Sequence, residues 1–398
     1  MTGAWGSAWI PDHAGDMGVS DADPHDHRVD RRAQPPGDVR PGAAGAVHRD
    51  HGGRRAGLGD GHRRRLRPGA PSRRAGRRRR RWKGGVCMAR VILVYEPKRA
   101  GTYADLLERA IPNPADYRLI PCTSREEAER AIGEAEILFC FRFPADLLQG
   151  AHRLRWIQAM AAGVDDLVAA PLPPGVLLTR IEGLFGTPMS EYAFAHMLAH
   201  AQQLRRVYAA QAERRWDPFR AETLAGKRLG VAGIGSIGLE VAVRGKAFGM
   251  EVWGLARTPG PRPHVDRVFT PDQVREFTAG VDFLVSTLPD TPETRRLIDP
   301  EGMKEGALLI NVGRGATLDE GALLRAVRSG RIRAVLDVFA VEPLPGDHPF
   351  WTEPGITVTP HMSGLNRPDA IAAYCAENLR RFERGEPLRG VVDLARGY

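Results

Sequence analysis

Cysteine is scarce in these 398 residues. The four present, Cys87, Cys122, Cys140 and Cys375, have no CxxC spacing. That excludes a zinc-ribbon or thioredoxin-type motif and suits a reducing compartment, so a cytoplasmic protein is expected. Long apolar runs are missing as well: none approaches the about 20 residues of a membrane span, and no membrane partner is expected. His196 and His200 stand four residues apart, a metal-ligand spacing, but no Glu follows the first and no third ligand is near. No metal site is expected there, only two imidazoles on a helix surface.

The first 87 residues contain no Glu, Asn, Phe or Tyr and are rich in Arg, Gly, Pro and Ala. Such a composition cannot bury enough apolar surface to repay its ordering entropy, and residues 1–87 read as a disordered low-complexity extension. An apolar signal core is absent, and nine Asp argue against an organellar transit peptide. Met88 opens "MARVILVYEP", a natural first strand. The favoured reading is that the chain proper starts at Met88 and the extension is upstream sequence. The basic run Arg77 to Arg81 as a nucleic-acid or membrane arm is the other reading.

The formal charge of +9 invites a nucleic-acid partner until it is located. Residues 1–87 hold 19 of the 57 Lys and Arg and 9 of the 48 Asp and Glu, leaving 38 against 39 in the remainder. The body is near neutral, which argues against nucleic acid.

What is present from Met88 onward is alternation. Short apolar runs, "RVILVY", "EILFCF", "RWIQAM" and "GVLLTR", alternate with helical patterns such as "YADLLERAI", the signature of parallel strands with crossover helices. A long helix is expected over "SEYAFAHMLAHAQQLRRVYAAQAERRW", capped by Ser190, with Phe194, Met197, Leu198, Leu204 and Tyr208 at helical spacing. Strand-like runs then resume as "RLGVAGI", "EVWGLA", "FLVSTLP", "ALLINVG", "AVLDVF" and "ITVTPH", with a weak "RVF" as a possible seventh. The expected fold is α/β: two Rossmann-like domains with doubly wound parallel sheets. One covers 88–187 and is completed by 365–398; a dinucleotide-binding domain over 188–364 is inserted between these pieces.

Between "RLGVAGI" and a helix with Ile237, Val241 and Phe248 as its inward stripe lies "GIGSIG". Gly233, Gly235 and Gly238 let the backbone turn tightly and approach a pyrophosphate, whose charge rests on the helix start at Ser236 and Ile237. An acid normally follows at the end of the second strand to take the ribose hydroxyls. It is missing here. Ala256 stands in its place, followed by Arg257 and Thr258. A guanidinium fork and a hydroxyl suit a ribose phosphate, so NADP(H) is the expected cofactor and NAD(H) the second choice, with Arg262 assisting.

Downstream come "STLPDTPETRRLI", "INVGRGATLDEGALLRAV", "AVLDVFAVEPLPGDHPFW" and "ITVTPHMSG". With "GIGSIG" and "AAGVDDL", these motifs resemble the D-isomer-specific 2-hydroxyacid dehydrogenases over residues 88–398. The resemblance implies that Arg314, Glu342 and His361 are catalytic. Reducing a 2-keto acid needs a cation to hold the carboxylate and polarise the carbonyl, an acid to protonate the alkoxide, and a carboxylate to orient that acid and keep it charged. By the same resemblance Asp337 contacts the nicotinamide amide, Leu288 and Pro289 pack near the adenosine half, and the backbone around Ala162 and Gly163 receives the substrate carboxylate. Arg142, at a strand end in "FCFRFP", is expected to face the cleft. "LART" is similar to the NADPH-using glyoxylate and hydroxypyruvate reductase branch. The partners implied are a small 2-keto or 2-hydroxy acid and a second copy of the chain in a homodimer. Two alternatives remain open: an NAD-dependent 3-phosphoglycerate-type dehydrogenase, and a dinucleotide-sensing corepressor-like scaffold.

Overall fold

The computed structural model describes residues 89–364 and 367–398. The expectations for residues 1–87, including Cys87 and the Arg77 to Arg81 run, lie outside them. Among the described residues no helix is long and apolar enough to cross a membrane.

Two parallel sheets carry the fold. The first holds β1 (Arg90–Tyr95), β2 (Tyr117–Cys122), β3 (Ile137–Cys140), β4 (Trp156–Ala159) and β5 (Leu177–Thr179) in the order β2-β1-β3-β4-β5. Its inner strands β1, β3 and β4 are nearly continuous apolar runs because helices cover both faces. Flanking them are α1 (Ala100–Ala110), α2 (Arg125–Ala131) and the four-residue α3 (Asp165–Val168). The second sheet holds β6 (Arg228–Ala232), β7 (Glu251–Leu255), β8 (Arg267–Phe269), β9 (Phe283–Ser286), β10 (Leu308–Asn311), β11 (Arg333–Leu336) and β12 (Ile356–Val358). They run in the order β12-β11-β10-β9-β6-β7-β8. Strand order reverses between β6 and β9, where a doubly wound sheet opens a crevice at its carboxyl ends. Both sheets are of the doubly wound kind expected, and "RVF" is a true edge strand.

α4 (Gly186–Ala201) and α5 (Leu204–Ala212) precede the second sheet, and α6 (Ser236–Ala247), α7 (Val274–Gly280) and α8 (Glu320–Arg328) cross it. The last helix, α9 (Pro368–Arg384), returns to the first sheet, burying Ile371, Tyr374 and Leu379 among Ile92, Tyr103 and Leu107. After it Val391 bridges Thr179 antiparallel, so the tail lies along β5.

Three expectations need correction. The single helix from Ser190 is two helices, broken where Gln203 takes a left-handed φ of 49°. It also starts earlier, at Gly186: Pro188 fits in the first turn, where amides lack helical acceptors anyway. Ser190 is therefore buried inside the helix, its hydroxyl donating to the Thr187 carbonyl at 2.8 Å. Second, the inward stripe of α6 is Gly238, Val241, Ala242 and Gly245. Ile237 is half-buried and Phe248 is 41% exposed, stacked on Phe194. Small residues win because the helix lies directly on β6. A Cβ added at Gly238 would sit 2.0 Å from the Gly233 carbonyl oxygen. Third, His196 and His200 are half-buried rather than on the surface. His196 packs on Tyr192 and His200 on Phe283, and burial lowers the pKa of both.

Gly238→Ala is expected to push α6 off β6. Denaturant unfolding should show a loss of about 1–3 kcal/mol, the cost of overpacking a rigid contact; unchanged stability would mean that the helix shifts freely.

Candidate active site

The carboxyl ends of both sheets supply the expected residues. After β6 the chain turns at Gly233, whose φ of 91° favours glycine, and α6 begins at Ser236 with Gly235 as its cap. No side chain caps that end, and a Cβ at Gly235 would meet nothing within 4 Å. The first amides of a twelve-residue helix therefore face open space, a ready site for phosphate. Thr287 secures the turn, donating its hydroxyl to the Gly233 carbonyl at 2.7 Å. Sequence reasoning passed over Thr287 although "STLP" contains it. Leu288, buried, and Pro289, half-buried, follow it at the end of β9. These residues fit a dinucleotide.

Ala256 follows the end of β7, and Arg257 comes next, exposed. Its guanidinium makes no ion pair among the described residues; it lies 5.9 Å over the Tyr398 ring, and its charge reaches Glu293. Thr258 accepts a bond from Arg262 at 3.2 Å, so Arg262 braces the loop.

The loop after β10 is shaped by Asn311. Its amide donates to the Arg314 carbonyl at 3.0 Å, and its side-chain oxygen accepts from the Gly313 amide at 3.1 Å. Thr317 also donates to the Arg314 carbonyl, at 2.7 Å. Arg314 is thereby aimed at the loop after β4. Its Nε and Nη2 donate to Oδ2 of Asp165 at 3.0 and 2.9 Å, and its Nη1 to the Gly313 carbonyl at 2.7 Å. A Cβ at Gly163 would lie 1.6 Å from Nη2, so a larger residue there would displace the guanidinium from this position. The amides of Ala162 and Gly163 donate no hydrogen bond among the described residues, while Arg180 holds the Ala162 carbonyl at 3.2 Å.

Beyond β12, His361 stands in a left-handed conformation with φ 51°. Its Nδ1 meets Oε2 of Glu342 at 2.8 Å. Oε1 of Glu342 accepts from the Phe339 amide at 3.0 Å. Burial opposes the charge on Glu342, but His361, that amide and Arg142 together outweigh it and hold the carboxyl below its ordinary value. Arg142 is exposed, and its effect on Glu342 is the smallest of these.

Asp337, which resemblance puts against the nicotinamide amide, is 0% exposed and spends its oxygens on its own surroundings. Oδ1 accepts from the Thr359 hydroxyl at 2.6 Å and the Met362 amide at 2.9 Å; Oδ2 accepts from the Ser363 amide at 2.9 Å. Tyr192 of α4 donates in turn to Thr359 at 2.7 Å, since the Thr359 proton is already committed. Asp337 thus fixes the loop that carries His361. Among the described residues no group of three His, Cys, Asp or Glu is arranged for a metal.

A phosphate-binding turn at a sheet's switch point, beside a cation and a carboxylate-paired imidazole, defines a dinucleotide-dependent dehydrogenase. Residues 194–363 match the family model for the D-isomer specific 2-hydroxyacid dehydrogenase NAD-binding domain. Glyoxylate/hydroxypyruvate reductase A of Escherichia fergusonii is 32% identical over 319 residues, spanning 77% of this chain and 99% of that one. Among solved structures, a D-isomer specific 2-hydroxyacid dehydrogenase family protein of Aeromonas salmonicida aligns with a TM-score of 0.71 at 39% identity, covering 77% of this chain and 99% of that one. An NADPH-dependent glyoxylate/hydroxypyruvate reductase of Sinorhizobium meliloti, in complex with NADP and sulfate, aligns at 0.70 with 28% identity, covering 78% and 100%. The chain belongs to the D-isomer-specific 2-hydroxyacid dehydrogenase family. It is an NAD(P)-dependent oxidoreductase acting on CH–OH groups.

Glu342→Gln tests the pairing. A carboxyl held below its ordinary value stabilises the fold above that value, and the gain is lost as pH falls through the lowered one. The melting-temperature gap between wild type and Glu342→Gln should therefore be widest near neutral pH and close below about pH 4. Turnover should fall about 100-fold. A pH-independent gap would show that the charge of Glu342 is not what matters.

Proposed function

We propose that the chain is an NADPH-preferring reductase of small 2-keto acids, with glyoxylate and hydroxypyruvate as first substrates. The observation that carries this reading is the pairing of two departures at the end of β7: Ala256 in place of an acid, and an exposed Arg257 free of any ion pair among the described residues. The Sinorhizobium meliloti relative, whose structure holds NADP, supports it.

The turn at Gly233, Gly235 and Gly238, with the amides of Ser236 and Ile237, would hold the pyrophosphate; Arg257 and Thr258 would take the ribose phosphate; Leu288 and Pro289 would flank the adenosine half. When bound, the reduced nicotinamide supplies the hydride. The open amides of Ala162 and Gly163 bind the substrate carboxylate. Arg314 grips carboxylate and carbonyl and polarises the latter as negative charge grows on its oxygen. Glu342 occupies Nδ1 of His361 at 2.8 Å, which leaves Nε2 to deliver the proton to that oxygen.

Exposed Leu198, Val207 and Tyr208 on α4 and α5, with Trp216 in the loop beyond them 93% exposed, support a homodimer formed through this surface. Buried free Cys122, Cys140 and Cys375 suit the cytoplasm.

Steady-state rates with NADPH and NADH on glyoxylate and hydroxypyruvate test the cofactor reading. Arg257→Ala removes a charge-assisted contact of about 1.5–3 kcal/mol, so KM for NADPH should rise about 10- to 100-fold while KM for NADH stays put. An equal rise for both cofactors would make Arg257 a plain loop residue, and NADH turnover alone would reverse the preference.

A further inference from the structure

Arg314 has five N–H donors in a planar fork. Three are spent: Nε and Nη2 on Oδ2 of Asp165, and one from Nη1 on the Gly313 carbonyl. One N–H remains on each terminal nitrogen. Asp165 takes the side edge, Nε and Nη2, and leaves to a ligand the end-on edge, the one that grips two oxygens at once. Asp165 opens α3, directly after the loop whose amides at Ala162 and Gly163 stand free. It follows β4 of the first sheet, and Arg314 follows β10 of the second, 149 residues away. The missing Cβ of Gly163 lets the guanidinium lie against that loop, and Oδ2 of Asp165 is 3.3 Å from the same point.

The two side chains are 38% and 29% exposed. A pair this open to water contributes little to stability, so its consequence is orientation. We infer that Asp165 is a positioning residue for the reduction: it holds the side edge of Arg314 so that the end-on edge points at the carboxylate and carbonyl of the 2-keto acid. This rests on the reductase reading above. Without Asp165 the guanidinium is free to turn about its long side chain, and the fork is presented correctly only part of the time.

The experiment is a double-mutant cycle on the full chain, read as kcat and KM for glyoxylate and KM for NADPH. Asp165→Ala should lower kcat/KM for glyoxylate about 100-fold, the scale of a misplaced reacting contact. KM for NADPH and the melting temperature should stay as in wild type. Asp165→Asn, which keeps an acceptor oxygen, should recover part of the loss, and it carries the cycle if Asp165→Ala does not fold. Lys has no fork to aim. In an Arg314→Lys background, removing Asp165 should therefore cost less than about 3-fold. A full 100-fold loss in that background, or a parallel rise in KM for NADPH, overturns the positioning role while leaving the reductase intact. A wild type that reduces no 2-keto acid with either cofactor overturns the reductase reading and this inference with it.

Discussion

The chemistry depends on one buried carboxyl group, that of Asp337. An uncompensated charge at zero exposure would cost several kcal/mol. Here three donors from residues 359–363 satisfy it, and those donors are the chain on either side of His361. The same bonds hold His361 in a left-handed conformation that costs a non-glycine residue about 1–3 kcal/mol. The Asp337 amide also donates to the Asn311 carbonyl at 3.0 Å. Asn311 is the residue whose side chain shapes the Arg314 loop. Acid and cation are thus set by neighbouring strands, β10 and β11, and a shift of one strand against the other would move both.

How much of this was legible in the sequence follows from the range of each interaction. Strands buried on both faces read as apolar runs, so β1, β3 and β6 stood out. The run "YRLIPC" of β2 escaped notice because it is a half-exposed edge strand interrupted by Arg118 and Pro121. The break between α4 and α5 carries no glycine or proline; Gln203 alone takes the left-handed turn, so the pattern read as continuous. Phe248 was taken for an inward residue by spacing alone, but a helix that must lie on β6 selects small residues over large ones.

The candidate site divides in the same way. Arg314, Glu342, His361 and the glycine turn lie in motifs whose spacing is local, and the family resemblance of those motifs pointed to their chemistry. Thr287 and Asp165 act across 54 and 149 residues. Nothing in their neighbourhoods distinguishes them from a strand-end threonine or an acid in a first helical turn. Arg257 fell between these cases: the absence of an acid was legible, whereas the lack of an ion pair among the described residues needed the structure.

Both cations of the candidate site meet a residue of the first sheet's half. Arg314 binds Asp165 at the start of α3, and Arg257 lies over Tyr398 in the tail along β5. The two contacts differ in kind. On the proposed reading Arg314 keeps its aim while substrate comes and goes, and an acid gripping its side edge suits this without covering the other. On the proposed reading Arg257 takes a phosphate, and a ring face leaves its N–H groups available while still attracting the charge. An acid at Tyr398 would compete with that phosphate, and a ring at Asp165 would not fix the fork. Each partner therefore suits the ligand its cation is left free to hold, and both contacts break if the halves separate.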